Sequence, residues 1–180
     1  MRFLPRLLFA GAVLALAGCN PAEVYPVGNA NVPQPKKSVE LNRYLGKWFE
    51  QARYEASFQK DCEGVTAEYT LKRDGNVRVV NTCRQGAVNS VSRSAEATAK
   101  MVEGSNGSKL KVTFVWPFEG DYWVLDRADD YSWSIVGEPS GRNLWLLTRS
   151  SRVSDRQYAT LVKQAASLGY DVSLLRRTQQ

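Results

Sequence analysis

No histidine occurs in the 180 residues, and this narrows the chemistry open to the chain. Ser-His-Asp and Cys-His catalysis, histidine-ligated zinc and the histidine-carboxylate iron triad all need an imidazole as base or ligand. What remains is carboxylate, lysine, tyrosine or cysteine chemistry, or a borrowed cofactor. The cysteines are Cys19, Cys62 and Cys83. Among the carboxylates Glu50 has the most unusual setting, because strand alternation places it on the same, inward face as Trp48. A buried carboxylate there needs an arginine, a tyrosine or water as partner; a head-group or catalytic role is the alternative. No catalytic set, metal site or cofactor is expected from these residues.

Cys19 closes a three-part N-terminal segment. Arg2 and Arg6 lie in residues 1–6, an unbroken apolar run fills residues 7–17, and Gly18 precedes the cysteine. A resting transmembrane helix needs about 20 apolar residues, so this run is too short to span a bilayer. Leu16-Ala17-Gly18-Cys19 resembles the bacterial lipobox, in which the cysteine is diacylated and becomes the first residue of the mature chain. An ordinary signal peptide with a chance cysteine is the alternative. On the lipobox reading, residues 1–18 are a lipoprotein signal peptide and Cys19 is the lipidation site, with acyl chains enough for durable anchoring. Residues 19–38 then form the lipidated N-terminus and a flexible tether, since Pro21, Pro26, Pro33 and Pro35 stand among Gly and Asn. Asn20 in place of Asp implies, by the same resemblance, attachment to the outer membrane with the domain on its periplasmic face. The formal charge of +6 falls to about +4 without Arg2 and Arg6. Basic residues are scattered among acidic ones, and no nucleic-acid partner is expected.

The rest of the chain must position these groups. Strand-like runs are predicted at 47–54, 65–72, 77–83, 92–102, 110–115, 122–127, 132–137 and 144–149. Between them stand the turn signals Asp74-Gly75, Gln85-Gly86, Gly104 to Gly107 (where Asn106-Gly107-Ser108 reads as hairpin chemistry), Pro117, Asp129-Asp130 and Ser140-Gly141. These short spacings predict an antiparallel meander closed into a barrel that holds one small ligand; a two-sheet sandwich is the alternative. A helix follows, with Ser154 as N-cap, Asp155 at its positive end, Tyr158, Leu161, Val162, Ala165 and Leu168 at helical spacing, and Gly169 as the stop. Leu144-Trp145-Leu146-Leu147 is apolar on both faces, as expected of a strand between a cavity and a packed helix. Residues 170–176 add a last short strand.

Parity then fixes the two ends of the barrel. The first strand begins, and the eighth ends, at one end, so Trp48 and Arg149 meet there and a guanidinium stacks on the indole at a closed base. Residues 55–63 and the turns at Gln85, Pro117 and Ser140 gather at the other end, which is the mouth.

Leu45 to Tyr54, with Gly46-Lys47-Trp48 at its start, resembles the first signature of the lipocalins in the version of bacterial lipocalins and apolipoprotein D relatives. Gly120 to Asp126 resembles the second signature, and Leu144 to Arg149 the third. The resemblance covers roughly residues 40–178. It implies an all-β, eight-stranded antiparallel up-and-down barrel over residues 39–180, with a C-terminal helix packed outside and Gly46, Trp48 and Arg149 as the base signature. It also implies a non-enzymatic, membrane-anchored protein that stores or transports fatty acids or lysophospholipids for envelope maintenance under stress. An enzyme of this fold acting on a bound lipid or isoprenoid is one alternative, through Cys62, Cys83, Glu50 or a tyrosine. An envelope protein-interaction module is another. A second copy of the chain is a candidate partner.

Cys62 and Cys83 fall at the mouth end of one hairpin in an oxidising compartment, which predicts a disulfide. The register requires a bulge, because Cys62 lies further from the Asp74-Gly75 turn than Cys83 does; a free reactive thiol, as in lipocalins resembling prostaglandin isomerase, is the rival. Glu50, Tyr54, Tyr69, Trp116, Phe118 and Tyr122 are the ligand-lining candidates. An apolar cup with aromatic lips suits an acyl chain whose head group stays in water.

Overall fold

The computed structural model describes residues 25–180; the signal segment 1–18, Cys19 and residues 20–24 lie outside that range. The chain runs through a short helix α1 (Leu41–Tyr44) and strands β1 (Gly46–Tyr54), β2 (Cys62–Leu71), β3 (Val77–Gln85), β4 (Ser92–Met101), β5 (Lys109–Val115), β6 (Phe118–Arg127), β7 (Trp133–Gly137) and β8 (Leu144–Thr148). Helix α2 (Asp155–Ser167) and strand β9 (Leu175–Arg177) follow. Consecutive strands pair antiparallel from β2 round to β8, and β1 pairs with both β8 and β2, which closes the barrel. Period-two alternation in these runs gives each strand one inward and one outward face.

Those faces build two cores. Inside the closed end, Tyr44, Trp48, Tyr69, Val77, Val79, Ala97, Ala99, Leu110, Val124, Val136 and Leu147 pack together. Outside, Ala52, Tyr54, Leu125, Ile135, Leu144 and Leu146 meet Leu161 and Ala165 of α2, and Tyr170. Residues 144 to 147 therefore split between the two cores, which is why that strand is apolar on both sides. Ser154 caps α2 in a reciprocal box with Gln157.

Three local features, two bulges and one strand boundary, matter for the site. A bulge between Glu50 and Ala52 swaps the faces of β1, so Trp48 and Glu50 face inward while Ala52 and Tyr54 face outward. Tyr54, expected to line the ligand, instead packs edge-on against Tyr170 and donates to the Asp171 carbonyl. Second, β6 begins at Phe118 and not at Tyr122, so Tyr122, expected near the mouth, pairs with Leu110 deep in the barrel. Third, a bulge between Glu63 and Thr66 of β2 shifts the register by one residue and brings Cys62 opposite Gln85, from where it is joined diagonally to Cys83 with the two Cα atoms 5.3 Å apart.

At the base, Arg149 lies 3.8 Å from the Trp48 ring centroid. Its guanidinium donates to the carbonyls of Lys47, Arg43 and Tyr44, and the Trp48 indole donates to the Tyr44 carbonyl. Gly46 turns with φ +90 above this guanidinium, where a side chain would strain the backbone.

Residues 25–38, expected as part of a free tether, form a strap along the outer wall. At the mouth end, Gly28 and Asn29 donate to the Gly141 carbonyl and Gly28 accepts from Asp171. Further down, the Lys37 ammonium lies 3.2 Å from Asp126, and Arg127 donates to the Ser38 carbonyl. Val39 reaches the base, donating to Asn106.

Candidate functional site

Solvent enters the barrel from one end and stops at a definite level. On β4 the inward residues are Arg93, Ala95, Ala97 and Ala99; the last two are buried and Ala95 is exposed. On β3 the same transition falls between buried Val79 and half-buried Asn81, which pairs with Ala95. On β5 and β6 it falls between buried Leu110 and Val124 and the half-buried Val112 and Tyr122. Above that level the wall is open, and the small side chain of Ala95 on β4 leaves room there, while Ala97 and Ala99 pack into the core below.

The floor of this cup is a set of phenols. Tyr122 is hydrogen-bonded to Tyr44 and Tyr69, each at 2.8 Å between hydroxyl oxygens, and Tyr44 also reaches the Ser134 hydroxyl. Two sequence-derived candidates, Tyr69 and Tyr122, thus come together, while Tyr44 was not among them. Burial pushes the Tyr44 phenol up to about 12, against the hydrogen bonds that favour its ionised form. Burial also raises Tyr69 and Tyr122. The three phenols stay neutral and offer a polar but uncharged floor.

The upper wall carries charge. Glu50 is buried and accepts from Arg53 at 2.9 Å, from Thr178 at 2.5 Å and from Gln59 at 2.6 Å. Arg53 is fully buried and also bonds Glu55 and the carbonyls of Cys62 and Gln59. Burial works against the Arg53 charge, but Glu50 and Glu55 outweigh it and hold its pKa above the ordinary value. These groups sit where β1 leaves β2: β9 pairs with the upper half of β1, and the Gln180 amide donates to both Glu50 and Val65 carbonyls, bridging the seam. The Gln59 side chain, from a 3-10 turn at Ser57–Gln59, also accepts from the Trp145 indole inside the barrel. Glu50 is thus a satisfied wall residue.

Sequence reasoning named neither inward cation, the buried Arg53 nor, nearer the opening, Arg93. Arg93 pairs with Cys83 across β3–β4, approaches the Cys62 sulfur at 3.8 Å, and is exposed. Among the described residues it makes no ion pair. The signal was present in the alternation of 92–102, whose inward positions read Arg, Ala, Ala, Ala. Cys62 and Cys83 are joined, which removes thiolate chemistry from the mouth. Trp116 and Phe118 stand on the rim, 85% and 77% exposed. No group of three or more metal-ligating side chains occurs among the described residues.

Residues 39–180 match the family described as a lipocalin-like domain. The outer membrane lipoprotein Blc of Vibrio cholerae is 38% identical over 149 residues, covering 82% of this chain and 86% of that one. The outer membrane lipoprotein Blc of Escherichia coli K12 is 31% identical over 180 residues, covering 100% of this chain and 98% of the relative. Among solved structures, insecticyanin from the tobacco hornworm Manduca sexta superposes with a TM-score of 0.69 at 18% identity, covering 88% of this chain and 90% of that one.

Proposed function

The chain belongs to the lipocalin family, and from that premise we propose that it is a carrier of single-chain lipids with a carboxylate or phosphate in the head group, a fatty acid or a lysophospholipid, tethered to the outer membrane through acylated Cys19. The observation that carries this reading is the open upper cup, floored by neutral phenols, with Ala95 of β4 on its wall and the exposed Arg93 cation above it near the mouth. An acyl chain of about 16 methylenes buried at ~0.8 kcal/mol each gains roughly 13 kcal/mol before association and ordering costs. Affinity of micromolar or better needs no catalytic group. A carboxylate or phosphate head group meets Arg93 on leaving the apolar wall. The two named outer membrane lipoproteins among the relatives support the location.

The test is titration of a non-lipidated Cys19→Ala chain with fluorescent fatty acid and lysophospholipid probes. Saturable binding at about one probe per chain is expected; a linear, non-saturating response to both overturns the reading. Mass spectrometry of the envelope-derived protein separately tests acylation at Cys19.

A further inference from the structure

The mouth of the cup carries more than a ligand entrance. Of the ten large hydrophobic residues exposed among the described residues, seven lie on the mouth loops and the strand ends beside them. They include Phe58 at 68%, Val91 at 92%, Val115 at 67% and Trp116 at 85% exposure. They come from three of the four connections at the mouth, β1 to β2, β3 to β4 and β5 to β6, so they line most of the rim, the β7 to β8 side contributing none. The β3–β4 connection, Gly86 to Val91, and Trp116-Pro117 at the β5–β6 turn contain no charged residue, so little desolvation opposes their transfer out of water. An apolar ring of this kind on a protein surface marks a binding face.

The strap says what that face meets. Gly28 and Asn29 are bonded to Gly141 in the β7–β8 connection, and Arg142 donates to the Tyr25 carbonyl. The described chain therefore begins at the mouth. Tyr25 is six residues from Cys19, a stretch that reaches about 20 Å at most even when fully extended. The ten residues of β6 rise roughly 33 Å along the strand, or about 25 Å of barrel height at the usual tilt. Cys19 cannot be brought back to the base.

We propose that the mouth is the membrane-facing end of the molecule: the Cys19 anchor and the apolar ring act together to seat the open cup against the bilayer leaflet that holds the anchor, so that an acyl chain passes between leaflet and cup without crossing bulk water. This rests on acylation of Cys19 and on lipid binding. Seating is cheap once the anchor is in place, because the short connection fixes a high local concentration of the ring at the surface, and tryptophan favours the interface it would occupy.

The test uses the full, acylated chain in vesicles of phosphatidylethanolamine and phosphatidylglycerol at three to one, a fraction of the lipid carrying brominated acyl chains. Bromine is expected to quench tryptophan emission, and Trp116→Phe is expected to remove most of that quenching. A Phe58→Ser, Val91→Ser double variant is expected to take up a fluorescent fatty acid from the vesicles about tenfold more slowly, while binding the same probe from solution unchanged. Unquenched emission with unchanged transfer, in a chain shown by mass to be acylated and able to bind the probe, overturns the proposal. A dimer joined through the ring, unquenched on vesicles and made monomeric by the double variant, overturns it too. Failure of acylation or of solution binding appears in those controls and counts against the underlying reading instead.

Discussion

Trp48 holds the base by filling it, and Arg149 holds it by tying ends together. Trp48 is fully buried in the inner core and Arg149 covers its face, so Trp48→Ala should leave a cavity and cost about 3 to 5 kcal/mol in chemical denaturation. Arg149→Ala removes a stacking interaction of ~0.5 to 2 kcal/mol together with its carbonyl bonds, and should cost less than Trp48→Ala. The double variant should cost less than the sum, because the two share one contact. Equal and additive losses would mean that the stack is incidental. At the other end, Arg93→Ala should weaken a fatty acid or lysophospholipid by about tenfold, the scale of a charge-assisted hydrogen bond, and leave a monoacylglycerol of the same chain length nearly unchanged. Equal loss for both, measured by probe displacement, would assign Arg93 to the wall and not to the head group. Residues at the base were legible because parity alone brings the first and last strands together. Arg93 was equally exposed to that logic, but isolated cations in strands usually face solvent, and only the alanines beside it mark its face as inward.

Elements were readable where hydrophobic period governs them and unreadable where hydrogen bonding does. The eight barrel strands and α2 follow the apolar pattern within a few residues, since each must bury one face. The bulge in β1 leaves no such trace: Ala52 and Tyr54 are apolar enough for either face, and what selects the outer one is contact with Tyr170 and the Asp171 carbonyl. The strap was likewise hidden. Pro26, Pro33 and Pro35 among Gly and Asn describe a stretch without a helix or strand, and it is fixed by backbone donors to Gly141 and by the Lys37 and Arg127 contacts. The seam between β1 and β2 is built the same way, from Thr178, Gln180, Glu50 and Arg53. Removal of residues 178–180 leaves Arg53 and Glu50 short of partners in a buried place and should cost roughly 2 to 4 kcal/mol. Denaturation should show it, with hydrogen exchange rising first in the upper half of β1 and the start of β2; protection unchanged there would make the tail dispensable.

For the molecule as a whole, the direction in which it points is set by one close approach. Gly141 has φ +67, and a Cβ there would lie 1.8 Å from the Asn29 carbonyl oxygen, so Gly141→Ala cannot keep the strap seated on the β7–β8 connection. The barrel does not need that contact to close, since its pairings run through β1, β2 and β8. The expected result is a strap cut early by protease between residues 25 and 37 while the barrel's unfolding midpoint falls only slightly. Freed to Val39, the connection from Cys19 lengthens to about 20 residues, with an average reach of roughly 25 Å if it behaves as a flexible coil. Orientation would then depend on the apolar ring alone, whereas in the native chain the strap and the ring impose the same one. Gly141→Ala should therefore be mild by itself in vesicle transfer and severe when combined with Phe58→Ser and Val91→Ser, a coupling that independent devices would not show. If the combined variant is no slower than the double variant without it, the strap plays no part in pointing the cup.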